Sequence, residues 1–167
     1  MDSWYFALDG LVDRVIRPVL IVLSVFIAGL IVTGIITRSL LGEPLFGVEE
    51  VVLLSVMWLY MLGAVMAAKE RSHLRADFLP IIIKSKSVLA ALQLLASIIS
   101  LLMAAAFVVW SFDLFQWSVS RQQSTPVFAV PWAVSQTAPF VCSVLMMVYV
   151  FRDVLRDARL LATGARV

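Results

Sequence analysis

The sequence predicts an all-α integral membrane protein: four transmembrane helices, a short interfacial helix before them, and both termini on the cytoplasmic side. Three observations carry this. The chain is 62% hydrophobic and 14% charged over its 167 residues, whereas a soluble domain is about half apolar and about a quarter charged. Four stretches free of Asp, Glu, Lys, Arg and His are long enough to cross a bilayer. The lysines and arginines crowd into alternate connections. Helices are required because lipid offers no partner to a free backbone N–H or C=O.

The first residues set Trp4, Tyr5, Phe6, Leu8, Leu11 and Val12 beside Asp9 and Asp13. That mixture suits a short helix lying in the interface. The first span follows, Pro18 to Thr37 at its apolar core and roughly 16–38 in full. It is expected to be a retained helix, because acidic residues precede it and its apolar run exceeds that of a signal peptide. A connection over 39–48 leads into the second span, 49–69, and a basic connection over 70–86 into the third, 87–112. Pro126 and Pro131 place a loop over 113–130, so the fourth span is read from near Trp132, as 131–152. About 20 helical residues cross the roughly 30 Å hydrocarbon core. The whole is one membrane domain, residues 1–167.

Direction follows from the basic residues. Arg14, Arg17, the Lys69–Lys86 connection and the tail together hold 11 of the 13, and Arg38 and Arg121 are the other two. By the positive-inside rule both termini and the 70–86 connection are cytoplasmic, and 39–48 and 113–130 are periplasmic. Trp110, Trp117 and Trp132 flank the outer ends of the last two spans as an aromatic belt.

Several function classes drop out. A net charge of +2 gives no argument for nucleic acid. A single histidine, His73, cannot give bis-histidine haem ligation, and a single cysteine, Cys142, cannot build a thiolate cluster; Cys142 reads as a small core hydrophobe. No nucleophile elbow or phosphate-binding glycine loop is visible. No span carries an ionisable group near its centre, where ion-coupling and proton-relay sites are built. The chain therefore reads as neither an enzyme nor a complete coupled transporter, with no cofactor of its own. Pro139 interrupts the fourth span and frees the Ser135 carbonyl; Ser135, Gln136 and Thr137 stand near enough to satisfy it. A tolerated kink and a substrate-lining role are both open for it.

The remaining candidates are packing faces and edge charges. Ser24 and Ala28, Gly29 and Thr33, and Gly63 and Ala67 lie four apart, a spacing that lets helices approach. Glu49 and Glu50 open the second span. They complement its positive dipole end, or they pair with Arg38 or a partner; about 100° apart on a helix, they cannot serve one partner equally. In "KERSHLRADFLP", Lys69 to Pro80, a continued helix would put His73 with Asp77, and Arg71 with Arg75, on shared faces. The two readings of this cluster are topology alone, and a patch held against lipid headgroups or a partner. His73 is expected to hydrogen-bond to Asp77 or a partner rather than to shuttle protons.

The residues from Arg38 to Leu79, "RSLLGEPLFGVEEVVLLSVMWLYMLGAVMAAKERSHLRADFL", resemble the small membrane subunit (the Q-type small permease) of tripartite ATP-independent periplasmic (TRAP) transporters. The resemblance rests on Arg38 ending the first span, Phe46 with Glu49 and Glu50, Trp58 with Gly63 and Ala64, and Arg71, His73, Arg75 and Asp77 in the basic loop. "STPVFAVPW", Ser124 to Trp132, is similar to the family's outer loop. Ser72 stands where the family often has glycine. The resemblance implies a scaffold subunit in a bacterial inner membrane, without cofactors. Its partners would be a large membrane subunit that holds the sodium and substrate sites, a periplasmic binding protein for small organic anions, and phospholipids. It also implies that Arg38, Glu49, Glu50, Trp58, Gly63, Arg71, His73, Arg75 and Asp77 face partner or lipid. The alternatives are a structural accessory subunit of another membrane complex and a small oligomeric pore.

Overall fold

The computed structural model describes residues 3–42, 46–70 and 86–163. They form four helices: α1 (Ser3–Leu41), α2 (Val48–Lys69), α3 (Lys86–Arg121) and α4 (Ala133–Thr163). Each contains a stretch apolar and long enough to cross a membrane: Val12–Leu40, Val48–Lys69, Val88–Arg121 and Ala133–Ala162. Among the described residues the only extended pairing is a single bridge between Ser124 and Pro131.

The helices run longer than the apolar runs alone suggest. The segment before the first span is continuous with α1 rather than a separate interfacial helix. Pro18 lies inside that helix, where its missing N–H leaves the carbonyl of Arg14 without its helical donor. Helix α3 continues through 113–121, which the sequence reading placed in a loop, because no breaker intervenes before Pro126. At 36 residues it is about 54 Å long, well beyond the hydrocarbon thickness. Gln122 then ends it in the left-handed region, φ 47°.

The helices pack as α1 on α2, α2 on α4, and α4 on α3. The last helix in sequence thus sits between the second and third. Its seam with α3 has a seven-residue period: Ser97, Ala104, Ser111 and Ser118 recur along α3. Ser97 Oγ donates to Asp157 Oδ2 at 2.6 Å, and Ser111 Oγ lies 3.0 Å from Ser143 Oγ. The partner numbers fall by fourteen as the α3 numbers rise by fourteen, which fixes an antiparallel register. Ser118 and Ser135 continue it, both buried, with hydroxyls that meet no hydrogen-bond partner among the described residues. Small side chains at a heptad position let two backbones approach closely in lipid, where packing rather than hydrophobicity drives association. Phe140 adds an aromatic contact to the seam, with its ring 5.4 Å from Phe112 and 6.1 Å from Phe115.

A second core joins α1, α2 and α4 near the Lys69 end: Val12 and Ile16, Val65, Met66 and Ala68, Cys142 and Tyr149. Cys142 is fully buried in it. Beyond this core α1 leaves the array. Only 6% of its most apolar stretch is buried within the chain, against 33% for α4. Ser24 and Thr33 turn their hydroxyls back to carbonyls of their own helix, Leu20 and Gly29. A Cβ added at Gly29, Gly34 or Gly63 would meet nothing within 4 Å. The small-residue spacings of α1 and α2 therefore do not mark close helix approaches within this chain. The expected rescue at Pro139 is also not made by the neighbouring hydroxyls. Thr137 donates to Ala133 O, and the Ser135 hydroxyl to none of the described residues.

Candidate functional site

Charge collects at the two ends of the helix array, and at each end it ties elements together. At the end shared by the start of α1 and the ends of α2 and α4, Lys69 Nζ pairs with Asp13 Oδ2 at 2.7 Å and donates to Asp9 O at 3.0 Å. Lys69 lies in the last turn of α2, and its ammonium reaches the acidic turn of α1. Arg17 adds a looser bridge, 3.6 Å to Asp13 and 3.5 Å to Glu70, on exposed side chains where such pairs contribute little.

Arg152 of α4 is the hub. Its Nε and Nη2 each lie 3.2 Å from Asp153 Oδ1, Nη1 lies 3.7 Å from Asp9 Oδ2, and Nη2 donates to Lys69 O at 3.2 Å. Its guanidinium stands 5.1 Å over the Tyr149 ring. One side chain thus meets carboxylates of α1 and α4 and caps a terminal carbonyl of α2, where the helix dipole favours a cation. Asp153 is fully buried, and Asp157, one turn on, receives the Ser97 hydroxyl of α3. All four helices are therefore joined at this end by polar contacts. The fork geometry of arginine suits that many-partner role, which lysine cannot fill.

At the other end the loop between α3 and α4 folds back on the start of α2. Thr125 organises it: its N–H donates to Val130 O at 2.9 Å, its carbonyl accepts from Ala129 N at 3.1 Å, and its hydroxyl accepts from Val130 N at 3.1 Å. Trp132 N donates to Gln123 O at 2.9 Å, closing the loop's base. Ala129 takes a left-handed φ of 51° at the tip. The Glu50 carboxylate then accepts from Val127 N at 2.7 Å and Phe128 N at 3.0 Å, with the Thr125 hydroxyl beside it. Gly47, the N-cap of α2 at φ 85°, lies under the Phe128 ring. Trp58 Nε1, two turns further along α2, donates to Val134 O at 3.2 Å.

Glu49 and Glu50 go separate ways, as the 100° between them requires. Glu50 binds the loop, and Glu49 lines an open cleft between α1 and α2 together with Arg38. Among the described residues neither Arg38 nor Glu49 forms an ion pair. Replacing Glu50 with glutamine is expected to speed amide hydrogen exchange at Val127 and Phe128, because one neutral oxygen replaces two charged acceptors. The same change at Glu49 is expected to leave both amides as they are.

Of the residues singled out in the sequence, Glu50 and Trp58 bond within the chain, and Arg38 and Glu49 flank the cleft. Gly63 opens onto space. Arg71, His73, Arg75 and Asp77 lie outside the described residues. Asp9, Asp13, Arg152, Asp153 and Asp157 were not singled out. Their signal was the spacing of four between Asp9 and Asp13 and between Asp153 and Asp157, which sets each pair on one helix face.

No curated protein matches the chain. A family model does: residues 5–160 match that of the DctQ component of tripartite ATP-independent periplasmic transporters. The match takes in all but the ends of the chain, both charged clamps and the loop between α3 and α4 included. With its four membrane-capable helices, the chain is a multi-pass membrane protein that belongs to the DctQ family, the small permease component of TRAP transporters.

Proposed function

We propose that this chain is the fixed scaffold of a sodium-coupled, binding-protein-dependent secondary transporter for small organic anions, supporting the large transport subunit and helping to dock the periplasmic binding protein. The observation that carries this reading is the combination of locked ends and bare flanks. Polar clamps hold the helices to one another at both ends, while only 6% of the most apolar stretch of α1, and 6% of that of α3, is buried within the chain. A part held rigid at its ends with uncovered apolar sides is suited to brace a larger membrane partner. Sodium and substrate sites are assigned to that partner, and this chain is given no cofactor. The outer loop, with Val127 and Phe128 exposed on its surface, is the proposed contact for the binding protein. Arg38, Glu49 and Gly63, with Arg71, His73, Arg75 and Asp77, are proposed to face partner or lipid.

An affinity tag on this chain is expected to bring down one large, highly hydrophobic chain. Vesicles holding both, supplied with the binding protein and a sodium gradient, are expected to take up labelled carboxylates or sulfonates. Uptake by vesicles that hold this chain alone would overturn the scaffold reading.

The proposed placement is the bacterial inner membrane, with both termini in the cytoplasm; the division of basic residues, 11 against 2, supports it. A cysteine introduced at the exposed Val127 is expected to react with an impermeant maleimide added outside the cytoplasmic membrane. One at the exposed Leu161 is expected to react only after that membrane is opened. The native Cys142, fully buried, gives no background. Labelling in the reverse order would invert the topology.

A further inference from the structure

We infer that the cleft between α1 and α2 is a binding site for one amine-bearing glycerophospholipid, with its phosphate at Arg38, its ammonium at Glu49 and an alkyl chain along the floor. This does not depend on the transport reading, nor on which leaflet the cleft faces.

The cleft exists because α1 leaves α2 beyond Ile27, the last apolar residue of α1 that is buried among the residues whose burial is described. It encloses about 480 Å³. Eight of its ten lining residues carry no charge, among them Ile31, Gly34 and Ile35 of α1 and Val52 and Val56 of α2. The other two are Arg38, in the last turn of α1, and Glu49, in the first turn of α2. The lining runs from residue 30 to 38 on one wall and from 48 to 56 on the other. At 1.5 Å per residue each wall is about 12 Å deep, close to half the hydrocarbon core. The charges therefore sit at the mouth and the apolar floor reaches towards the midplane, which is the polarity profile of a single lipid.

Charge selects the headgroup. Among the described residues the mouth carries one cation and one anion on opposite walls, and the two make no ion pair with each other. A headgroup with a single negative charge answers Arg38 and is repelled by Glu49. A phosphate and a primary ammonium on one headgroup answer both, and the ammonium offers N–H donors to the carboxylate. Gly34 keeps the floor open: it lines the cleft, and a Cβ there would meet nothing of the chain within 4 Å, so a larger residue is expected to project into the cleft without disturbing the fold.

The test uses the full chain with its co-purifying partners in phosphatidylcholine nanodiscs. These are doped with phosphatidylethanolamine carrying a photoactivatable diazirine in its acyl chain, or with phosphatidylglycerol carrying the same chain. After illumination, adducts are mapped by mass spectrometry. The ethanolamine probe is expected to label residues 30–38 and 48–56 in preference to the glycerol probe. Arg38→Gln and Glu49→Gln are each expected to lower that labelling about 5-fold, the loss of one partly exposed charge contact. Gly34→Leu is expected to abolish it with the helical content unchanged, whereas Gly29→Leu, outside the cleft, leaves it intact. Equal labelling by both probes, insensitive to these substitutions, would overturn the site as ordinary boundary lipid. Labelling of the chain alone that vanishes in the complex would overturn it in favour of a partner's helix.

Discussion

Replacing Arg152 with alanine is expected to destabilise the helix array by about 3–5 kcal/mol, the range for removing one partner of a buried ion pair. The substitution withdraws the guanidinium from Asp153, which is fully buried, and from Asp9. It also uncovers the Lys69 carbonyl at the end of α2 and strips the Tyr149 ring of its cation. A lysine at 152 is expected to restore only part, since an ammonium cannot reach three groups in one plane. The Arg152→Leu/Asp153→Leu double variant should recover much of the loss, because it removes the buried charge together with its counter-ion. Chain stability in lipid or detergent, followed by unfolding of the full-length protein, measures all three. If Arg152→Ala unfolds as the unaltered protein does, the hub assignment fails.

The second large effect is expected at Gly47. Alanine there is disfavoured twice. The backbone holds φ at 85°, in the left-handed region, which costs a residue with a Cβ about 1–2 kcal/mol. The added methyl would also run into the Phe128 ring, with Cζ at 2.7 Å. The ring must then lift, and the loop it belongs to is the one Glu50 holds by the Val127 and Phe128 amides. We expect a total cost of about 2–4 kcal/mol, once displacement of the ring is added to the backbone term. It should appear as protease cleavage within residues 122–132 that the unaltered protein resists. Phe128→Ala in the same chain should relieve the contact but not the backbone strain, so rescue should be partial. Full rescue would show that the glycine is needed for space alone.

The four membrane-crossing helices were legible in the sequence because hydropathy is local: a run without charge is visible residue by residue. The family was legible for a different reason, since the charged positions around the second span form a recognisable set. The helix lengths were less so. Charged and amphipathic stretches such as 113–121 look like loop in a hydropathy reading, yet nothing in them breaks a helix, and Phe115 gains the Phe140 ring by continuing it. The clamps were not legible. Lys69 with Asp13, and Arg152 with Asp9, join residues far apart in the chain whose meeting depends on how each helix is rotated and raised against its neighbour. The serine period of seven on α3 was present in the letters, but it becomes a contact only once α4 supplies Asp157 and Ser143 in register.

The place of α4 between α2 and α3 also sets an order in time. The first three helices can enter the bilayer as the ribosome delivers them, but the two that flank α4 find their shared neighbour only when the last quarter of the chain emerges. Until then Asp13 and Lys69 can meet, whereas Ser97, Ser111 and the end of α2 lack the residues that complete them. A ribosome that stalls before Ala133 would leave three inserted helices and no assembled subunit. The tertiary structure is thus tied to completed translation, and partial products keep the buried faces of α2 and α3 open to the membrane's quality-control proteases.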